Sequence, residues 1–188
     1  MNLNSSDFIS KIKLRDHDAV TILITKYNEV LIKGALKQGL AFDQADEVVQ
    51  ETWSTFFQKV ENFEGRSHIR TYLFGILYNK IKELWRSNKK YTQDDDATLE
   101  KSFNEFGHYL VSPLNPQLFL ESSEFMNILQ QELDNLPINQ KMAFNLKEIE
   151  QFSTDEICKI LDISVTNLGV LLYRAKANLR KRIENRYI

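Results

Sequence analysis

Helical periodicity is present at both ends of this chain and fails in its middle, which narrows the folds that it can adopt. Apolar residues recur every three or four positions across 8–86 and again across 119–185, the spacing of amphipathic helices. Only six glycines and three prolines interrupt the 188 residues. Because a long aperiodic stretch is uncommon inside one compact domain, the pattern predicts an all-α protein with two helical domains joined by a long linker. The predicted bounds are 1–87 for the first domain, 88–123 for the linker and 124–188 for the second domain.

The composition favours a globular protein and argues against several other classes. Apolar residues make up 43% of the chain, enough for a proper core. No run approaches the roughly 20 apolar residues that span a bilayer, and the first residues, MNLNSSDF, lack the pattern of a secretory signal. The one cysteine, Cys158, excludes an internal disulfide and a cysteine-rich zinc site. We therefore expect a cytoplasmic protein with no metal and no cofactor.

The net charge of −2 conceals two basic segments. Residues 65–90 contain seven cations against one acid, and residues 173–188 contain six cations against one acid. The intervening residues 87–124 are mainly acidic. This distribution indicates a polyanion held at two separate points.

The segment from Glu64 to Arg86 predicts a helix with two different faces. One face is an ordinary core stripe, consisting of Ile69, Leu73, Ile76, Leu77 and Leu84. The opposite face carries Tyr72, Gly75, Asn79, Lys82 and Arg86. An aromatic ring can stack on an unpaired base, a glycine permits close approach of a strand, and cations hold phosphates. The alternative interpretation is that Tyr72 only edges the core and that the cations keep the surface soluble.

The preceding segment predicts a helix from Asp43 to about Val60 with an apolar and an acidic face. The expected core residues are Ala45, Val48, Val49, Thr52, Trp53, Phe56 and Val60. The other face carries Asp46, Glu47, Gln50 and Glu51, with Phe57 among these polar residues. A carboxylate and amide cluster beside an apolar ring is one way to dock a basic partner helix. The alternative is a solvated acidic face with Phe57 covered by the following loop.

The C-terminal segment predicts a helix-turn-helix. Ser153 and Glu156 form a capping-box pattern that begins a short helix. A turn at 162–164 follows, and a longer basic helix then runs to about Asn185. The second helix of such a pair enters the major groove of DNA.

These two segments together resemble a known family. The stretches from Asp43 to Arg86 and from Leu136 to Arg180 are similar to those of sigma-70 family sigma factors of the extracytoplasmic-function (group 4) type. The resemblance implies sigma region 2 and sigma region 4 with only a linker between them. It also implies a promoter-specificity subunit without catalysis of its own, whose partners are core RNA polymerase and promoter DNA.

The resemblance assigns roles to both faces of the N-terminal domain. The β′ clamp helices of core polymerase would bind Asp46, Glu47, Gln50, Glu51 and Phe57. The melted −10 element would bind Phe63, Arg66, Ser67, Tyr72, Gly75, Asn79, Lys82 and Arg86. Tyr72 stands where the family usually has tryptophan, and Asn79 matches the family's asparagine at the pocket for a flipped base.

The recognition helix departs from the family pattern, since Gly169 and Leu171 replace two usual cations. The residues expected to contact the −35 element are Thr166, Asn167, Val170, Tyr173, Arg174 and Lys176. Val170 would contact a thymine methyl group, while Thr166, Asn167 and Arg174 would form hydrogen bonds. The alternative is that Val170 and Leu171 meet a protein instead. The family also implies contact with the polymerase β flap, and an anti-sigma factor that could hold the protein at the inner membrane.

Two other functions compete with a promoter-specificity subunit. A stand-alone helix-turn-helix regulator would account for the second domain but leaves the first domain without a role. A helical adaptor or an enzyme has no support, because the sequence shows no glycine-rich phosphate loop, no nucleophile elbow and no clustered ligand set.

Overall fold

The computed structural model describes residues 2–87 and 123–187, and every regular element in these two ranges is helical, as predicted. The predicted linker, apart from Ser123, lies outside the described residues. None of the described helices is long and apolar enough to cross a membrane. The helices are α1 (Ser6–Lys13), α2 (His17–Leu36), α3 (Phe42–Lys59), α4 (Ile69–Ser87), α5 (Ser123–Asp134), α6 (Ile138–Phe144), α7 (Thr154–Leu161) and α8 (Val165–Tyr187). A 3₁₀ turn, Val60–Asn62, follows α3, and a π turn, Asn145–Ile149, follows α6.

Side-chain caps define where several of these helices begin. The predicted capping box of α7 is confirmed: Glu156 N donates to Ser153 Oγ (3.3 Å), and Ser153 N donates to Glu156 Oε2 (3.0 Å). The predicted turn follows α7, where Asp162 adopts a left-handed conformation with φ of 56°. Pro137 is the N-cap of α6.

The core face of α3 was predicted correctly. All seven expected residues are buried (Ala45, Val48, Val49, Thr52, Trp53, Phe56 and Val60). The buried arc of α4 is wider than predicted. Ile69, Leu73 and Leu77 are buried as expected, whereas Ile76 and Leu84 are only half-buried. Additional buried side chains on α4 are Thr71, Phe74, Tyr78, Ile81 and Trp85.

The buried arc of α4 is wide because α4 packs against α2 and α3 on one side and against α7 on the other. We call α1–α4 the N-terminal bundle and α5–α8 the C-terminal bundle. Buried residues of both bundles form one continuous apolar cluster, in which the ring centroids of Phe74 and Phe152 are 5.0 Å apart. In this conformation the two bundles therefore contact each other directly, and not only through a linker.

Replacing Ser153 with alanine should remove the N-cap of α7 and lower the free energy of unfolding by about 1 kcal/mol. Urea denaturation followed by circular dichroism measures this change. Ser153→Thr, which keeps the hydroxyl group, is the matched control and should retain most of the stability. Equal loss in both variants would show that the capping hydrogen bond is not responsible.

Candidate nucleic-acid interface

Tyr72 lies at the edge of an aromatic cluster and remains half-exposed. Its ring centroid is 4.9 Å from that of Phe63 and 6.0 Å from that of Phe56. Partial burial raises the pKa of the Tyr72 hydroxyl. The ring is thus held in place from behind while one side stays accessible, which suits stacking on a base. Tyr72 thus lies at the edge of the core, as in the alternative interpretation, but its ring is still partly exposed.

Phe63 differs from the sequence expectation. Its side chain is only 6% exposed, so in this conformation it cannot reach a base directly. Its observed contact is with Tyr72. A direct contact between Phe63 and DNA stays a prediction, and the described conformation favours a supporting role behind Tyr72.

Three of the predicted α4 residues line a groove of about 580 Å³ between the ends of α3, α4 and α7. Asn79, Lys82 and Arg86 lie on its α4 side. Lys59 and Lys80 also line the groove, although the sequence analysis did not assign them to the site. Two amides, four cations and two carboxylates line the groove, so cations outnumber acids by two, which suits a nucleic-acid backbone.

Lys80 connects this groove to the acidic face of α3. Its Nζ lies 3.2 Å from Glu83 Oε2 and 3.4 Å from Glu51 Oε2. The hydrogen bond with Glu83 is the main reason that the pKa of Lys80 is raised. Lys80 belongs to the basic segment seen in the sequence, but its position in the groove depends on how α3 packs against α4.

Gly75 and its neighbours face the C-terminal bundle. A cavity of about 380 Å³ is lined on one side by Tyr72, Gly75 and Asn79. The facing wall includes Ile160 and other α7 residues. A Cβ atom built on Gly75 would lie 4.0 Å from the Cα of Ile160, which is ordinary contact distance. The backbone of α7 thus approaches the face that was expected to receive a strand.

The loop before α4 is close to the same site. Arg66 pairs with Glu64, and Ser67 is half-exposed. Lys159 of α7 donates from Nζ to the Arg66 carbonyl oxygen at 3.4 Å. The structure therefore brings Arg66 and Ser67 to the N-terminal end of the α4 face, as expected from the sequence.

The outer face of α3 is accessible at its polar residues, whereas Phe57 is half-buried. Glu47, Gln50 and Glu51 are exposed and Asp46 is half-exposed; Gln50 Nε2 donates to Asp46 Oδ2 at 2.7 Å. Phe57 is half-buried and stacks on Trp53, with centroids 6.0 Å apart and an interplanar angle of 23°.

Phe42 is the exposed aromatic residue beside this acidic face. Its side chain is 64% exposed and lies one helical turn before Asp46. Phe42 was not predicted as part of this face because α3 was expected to begin at Asp43. In the structure Gln44 Oε1 accepts from the Ala41 backbone N–H at 3.2 Å, and the helix includes Phe42. The ring of Phe42 thus adds one exposed aromatic residue to the outer face of α3.

The N-terminal end of α8 is exposed. Thr166 and Asn167 are exposed, and Asn167 N donates to Ser164 Oγ at 3.1 Å, the hydrogen bond of an N-cap. Val170 and Tyr173 are half-exposed further along the helix. Lys176 is exposed and its Nζ lies 2.8 Å from Glu148 Oε1.

Arg174 is placed differently from its expected role. Its side chain is 8% exposed, on the same side of α8 as Leu171, which is 7% exposed. One turn further on, Asn178 Nδ2 donates to Gln140 Oε1 at 2.9 Å, so this side of α8 packs inward. A base contact by Arg174 stays a prediction that this conformation does not favour. The alternative in which Leu171 meets a partner protein is likewise not favoured, because Leu171 is packed inside.

Within the two described ranges, no three His, Cys, Asp or Glu side chains are grouped so that they could hold a metal ion. Tyr72, Asn79 and the groove cations can stack on bases, form hydrogen bonds and pair with phosphates.

Comparison with known proteins identifies the family. The model of sigma-70 region 2 matches residues 23–91, and the model of sigma-70 region 4 matches residues 126–179. A protein of Haemophilus influenzae named probable RNA polymerase sigma factor is 31% identical over 147 residues, covering 73% of this chain and 76% of that protein. The chain belongs to the sigma-70 family of RNA polymerase sigma factors.

Longer matches agree with the expected type of sigma factor. The ECF RNA polymerase sigma-E factor of Haemophilus influenzae is 25% identical over 183 residues, covering 97% of this chain and 96% of that protein. The protein of the same name in Escherichia coli K12 is 23% identical over 184 residues, covering 97% and 95%. The prediction of an extracytoplasmic-function sigma factor is confirmed, and a stand-alone regulator is not favoured.

Two solved structures have the same fold as this sigma factor. CnrH, in complex with the cytosolic domain of CnrY, matches with a TM-score of 0.68 and 19% identity over 97% of this chain and 98% of that chain. The sigma factor RpoE of Bartonella quintana, in complex with the anti-sigma factor NepR, matches with a TM-score of 0.63 and 21% identity over 88% and 96%. We refer below to the N-terminal bundle as region 2 and to the C-terminal bundle as region 4.

Glu156 of region 4 provides a test of how closely the two regions are joined. Its Oε1 accepts from Thr71 Oγ1 of region 2 at 2.8 Å, and His68 Nδ1 lies 3.7 Å away. Burial alone would raise the pKa of Glu156, but hydrogen bonds from Ser153 and Thr71, together with His68, hold this pKa below its ordinary value. A lowered pKa in the folded state gives stability above the pKa of the unfolded chain, which is lost as the pH falls through the folded value.

Thr71→Val should therefore raise the pKa of Glu156 toward its ordinary value, because one of the hydrogen bonds to the carboxylate is removed. A carboxyl NMR titration of both proteins measures the shift. Ser153 still caps α7 in this variant, so part of the lowering should remain. An identical Glu156 pKa in the two proteins would mean that Thr71 does not contact it in solution.

Proposed function

We propose that this sigma factor directs promoter-specific initiation through three surfaces and performs no catalysis itself. The outer face of α3 binds core RNA polymerase, the outer face of α4 binds the melted −10 element, and the N-terminal end of α8 reads the −35 element. The observation that carries this proposal is the row from Tyr72 to Arg86, where a supported aromatic ring, an amide and a cationic groove follow one another on one helix.

The −10 strand is proposed to follow α4 from its N-terminal loop to its C-terminal end. Tyr72 stacks on or wedges against a base, Asn79 hydrogen-bonds a flipped base, and the groove cations hold phosphates. Extruding a base costs a few kcal/mol, and stacking returns about 1–3 kcal/mol per base. Since these two contributions nearly balance, the open strand must also be held by several other contacts and by attachment to polymerase. The further residues of this surface are Lys59, Arg66, Ser67, Gly75, Lys80, Lys82 and Arg86.

The polymerase surface is proposed to consist of an acidic patch with an exposed ring. Its residues are Phe42, Asp46, Glu47, Gln50 and Glu51. The exposure of Phe42 supports it as the aromatic contact, in place of Phe57, whose stacking on Trp53 suits a supporting role. The β′ clamp helices are the proposed partner on core polymerase, and region 4 is proposed to contact the β flap.

The −35 surface is proposed to read DNA with few charges. Thr166 and Asn167 form hydrogen bonds to base edges, Val170 contacts a thymine methyl group, and Tyr173 and Lys176 hold the backbone. The burial of Arg174 supports an internal role for this residue. We further propose a cytoplasmic location and an anti-sigma factor as an additional partner.

Replacing both Tyr72 and Asn79 with alanine should reduce open-complex formation while binding to core polymerase stays nearly unchanged. The reason is that stacking and base capture act only on separated strands, and losing one stacked base costs about 1–3 kcal/mol. Permanganate footprinting measures strand opening, and fluorescence anisotropy measures polymerase binding.

The reciprocal variant is Glu47→Lys, which reverses a charge on the polymerase surface and should weaken polymerase binding. Glu29→Lys is its matched control, because Glu29 is an exposed acid on α2, paired only one turn away with Lys33. If the Tyr72 and Asn79 variant loses polymerase but still opens DNA, the two surfaces have been assigned the wrong way round.

Asn167→Ala should weaken binding to the preferred −35 sequence by about 1–3 kcal/mol and relax specificity at one position. Lys176→Ala should instead weaken binding to all sequences similarly, since it contacts the backbone. Binding of the polymerase holoenzyme to a panel of −35 variants compares the two. A uniform loss with Asn167→Ala would contradict its role in reading a base.

A further inference from the structure

The start of α4 is capped by a side chain that precedes α1. Asn4 Oδ1 accepts a hydrogen bond from the Ile69 backbone N–H at 2.9 Å. Ile69 is the first residue of α4 and is 1% exposed. The first N–H groups of a helix have no acceptor within that helix, so a buried one requires a partner from elsewhere. Asn4 supplies this partner from 65 residues earlier in the chain.

The turn that carries Asn4 is itself ordered. Asn4 N donates to Asn2 Oδ1 at 2.9 Å, and Ser5 N donates to the Asn2 carbonyl oxygen at 3.1 Å. Leu3, between them, is buried in the apolar cluster. Ser5 then caps α1, because its Oγ accepts from Phe8 N at 3.3 Å. An ordered turn loses little conformational entropy when one of its side chains caps a second helix.

Helix α1 contacts the other end of the loop that leads into α4. This loop, residues 63–68, follows the 3₁₀ turn Val60–Asn62, against which α1 packs. Gly65 in the loop has a left-handed φ of 73°, and a Cβ atom built there would lie 3.4 Å from Ile9 Cδ1. We call residues 2–12 the N-terminal support, since they hold the loop near α3 and also at the start of α4.

The first turn of α4 includes Tyr72, whose ring is proposed to stack on a base. Tyr72 N donates to the His68 carbonyl oxygen at 3.1 Å, so Tyr72 closes the same turn that Asn4 caps. Terminal turns of helices fray with opening free energies near zero. If this turn frays, the Tyr72 ring loses its position against Phe63. The cap therefore affects the fraction of molecules in which the ring is held in place.

We propose that Asn4 is a positioning residue for capture of the −10 strand and acts through the first turn of α4 on Tyr72. The inference rests on the proposed function of α4 in strand binding. Asn4 increases the fraction of molecules whose Tyr72 ring is already arranged for stacking, and a larger competent fraction raises the apparent affinity for the separated strand. Asn4 is exposed, so its replacement leaves the apolar core intact.

The test compares Asn4→Ala with Asn4→Asp in the polymerase holoenzyme. Asn4→Ala removes the acceptor and should slow strand opening about threefold, while binding to core polymerase and to closed promoter DNA stays unchanged. Asn4→Asp keeps an oxygen acceptor at the N-terminus of α4 and should restore most of the rate. Permanganate reactivity followed over time measures strand opening. Equally slow opening by both variants would overturn the proposal.

Asp16→Ala is the matched control for loss of a helix cap. Asp16 Oδ1 accepts from Ala19 N at 2.9 Å and caps α2, which does not carry the proposed strand-binding row. This variant should lower the melting temperature by an amount similar to that of Asn4→Ala without slowing strand opening. If it slows opening as much as Asn4→Ala does, the effect is general destabilisation and the positioning role is overturned.

Hydrogen exchange of the Ile69 amide in the free protein reports on the cap directly. Asn4→Ala should accelerate this exchange about fivefold, since the frayed turn becomes more populated. Asn4→Asp should restore slow exchange. An unchanged exchange rate in Asn4→Ala would overturn the capping contact.

A double variant tests whether Asn4 acts through Tyr72. Asn4→Ala combined with Tyr72→Ala should slow strand opening no more than Tyr72→Ala alone, because the ordered turn acts only by positioning the ring. Additive losses would overturn this route. Failure of the proposed function is distinguishable, since it appears as unchanged strand opening by the holoenzyme that carries Tyr72→Ala alone.

Discussion

Packing on several sides of α4 is the constraint on which the rest of this structure depends. Helices α2 and α3 cover one side of α4, and α7 covers another. Phe74 and Tyr78 are consequently fully buried on a helix that must also present a surface. What remains is a narrow strip, in which Tyr72 is half-buried and Asn79 is exposed. The strip is rigid because the sides beside it are packed, and rigid positioning favours stacking and base capture.

The contact between the two regions is partly apolar and partly polar. Phe74 and Phe152 belong to the apolar cluster that both regions share. Glu150, Lys141 and Asn145 all form hydrogen bonds or ion pairs across this contact. Water can replace such contacts when the regions separate, so their net contribution is small compared with that of an apolar interface. Burial lowers the pKa of Lys141, which shows that its position is not the most favourable one for an ammonium group. The polar pairs therefore specify the arrangement of the two regions, while the shared apolar cluster supplies most of its stability.

The sequence predicted those features that depend on neighbours along the chain. The two faces of α3 and the capping box of α7 follow from local spacing, and both were predicted correctly. The wide buried arc of α4 was not predictable, because α7 is about eighty residues away in the sequence (Thr71 and Glu156 are 85 apart). Arg174 shows the same limit: its charge suggested a DNA contact, but the packing of α8 decides where it points. The start of α3 was also not predictable to one residue. Phe42 was expected to lie before the helix, but α3 begins at Phe42, and its exposed ring is therefore helical.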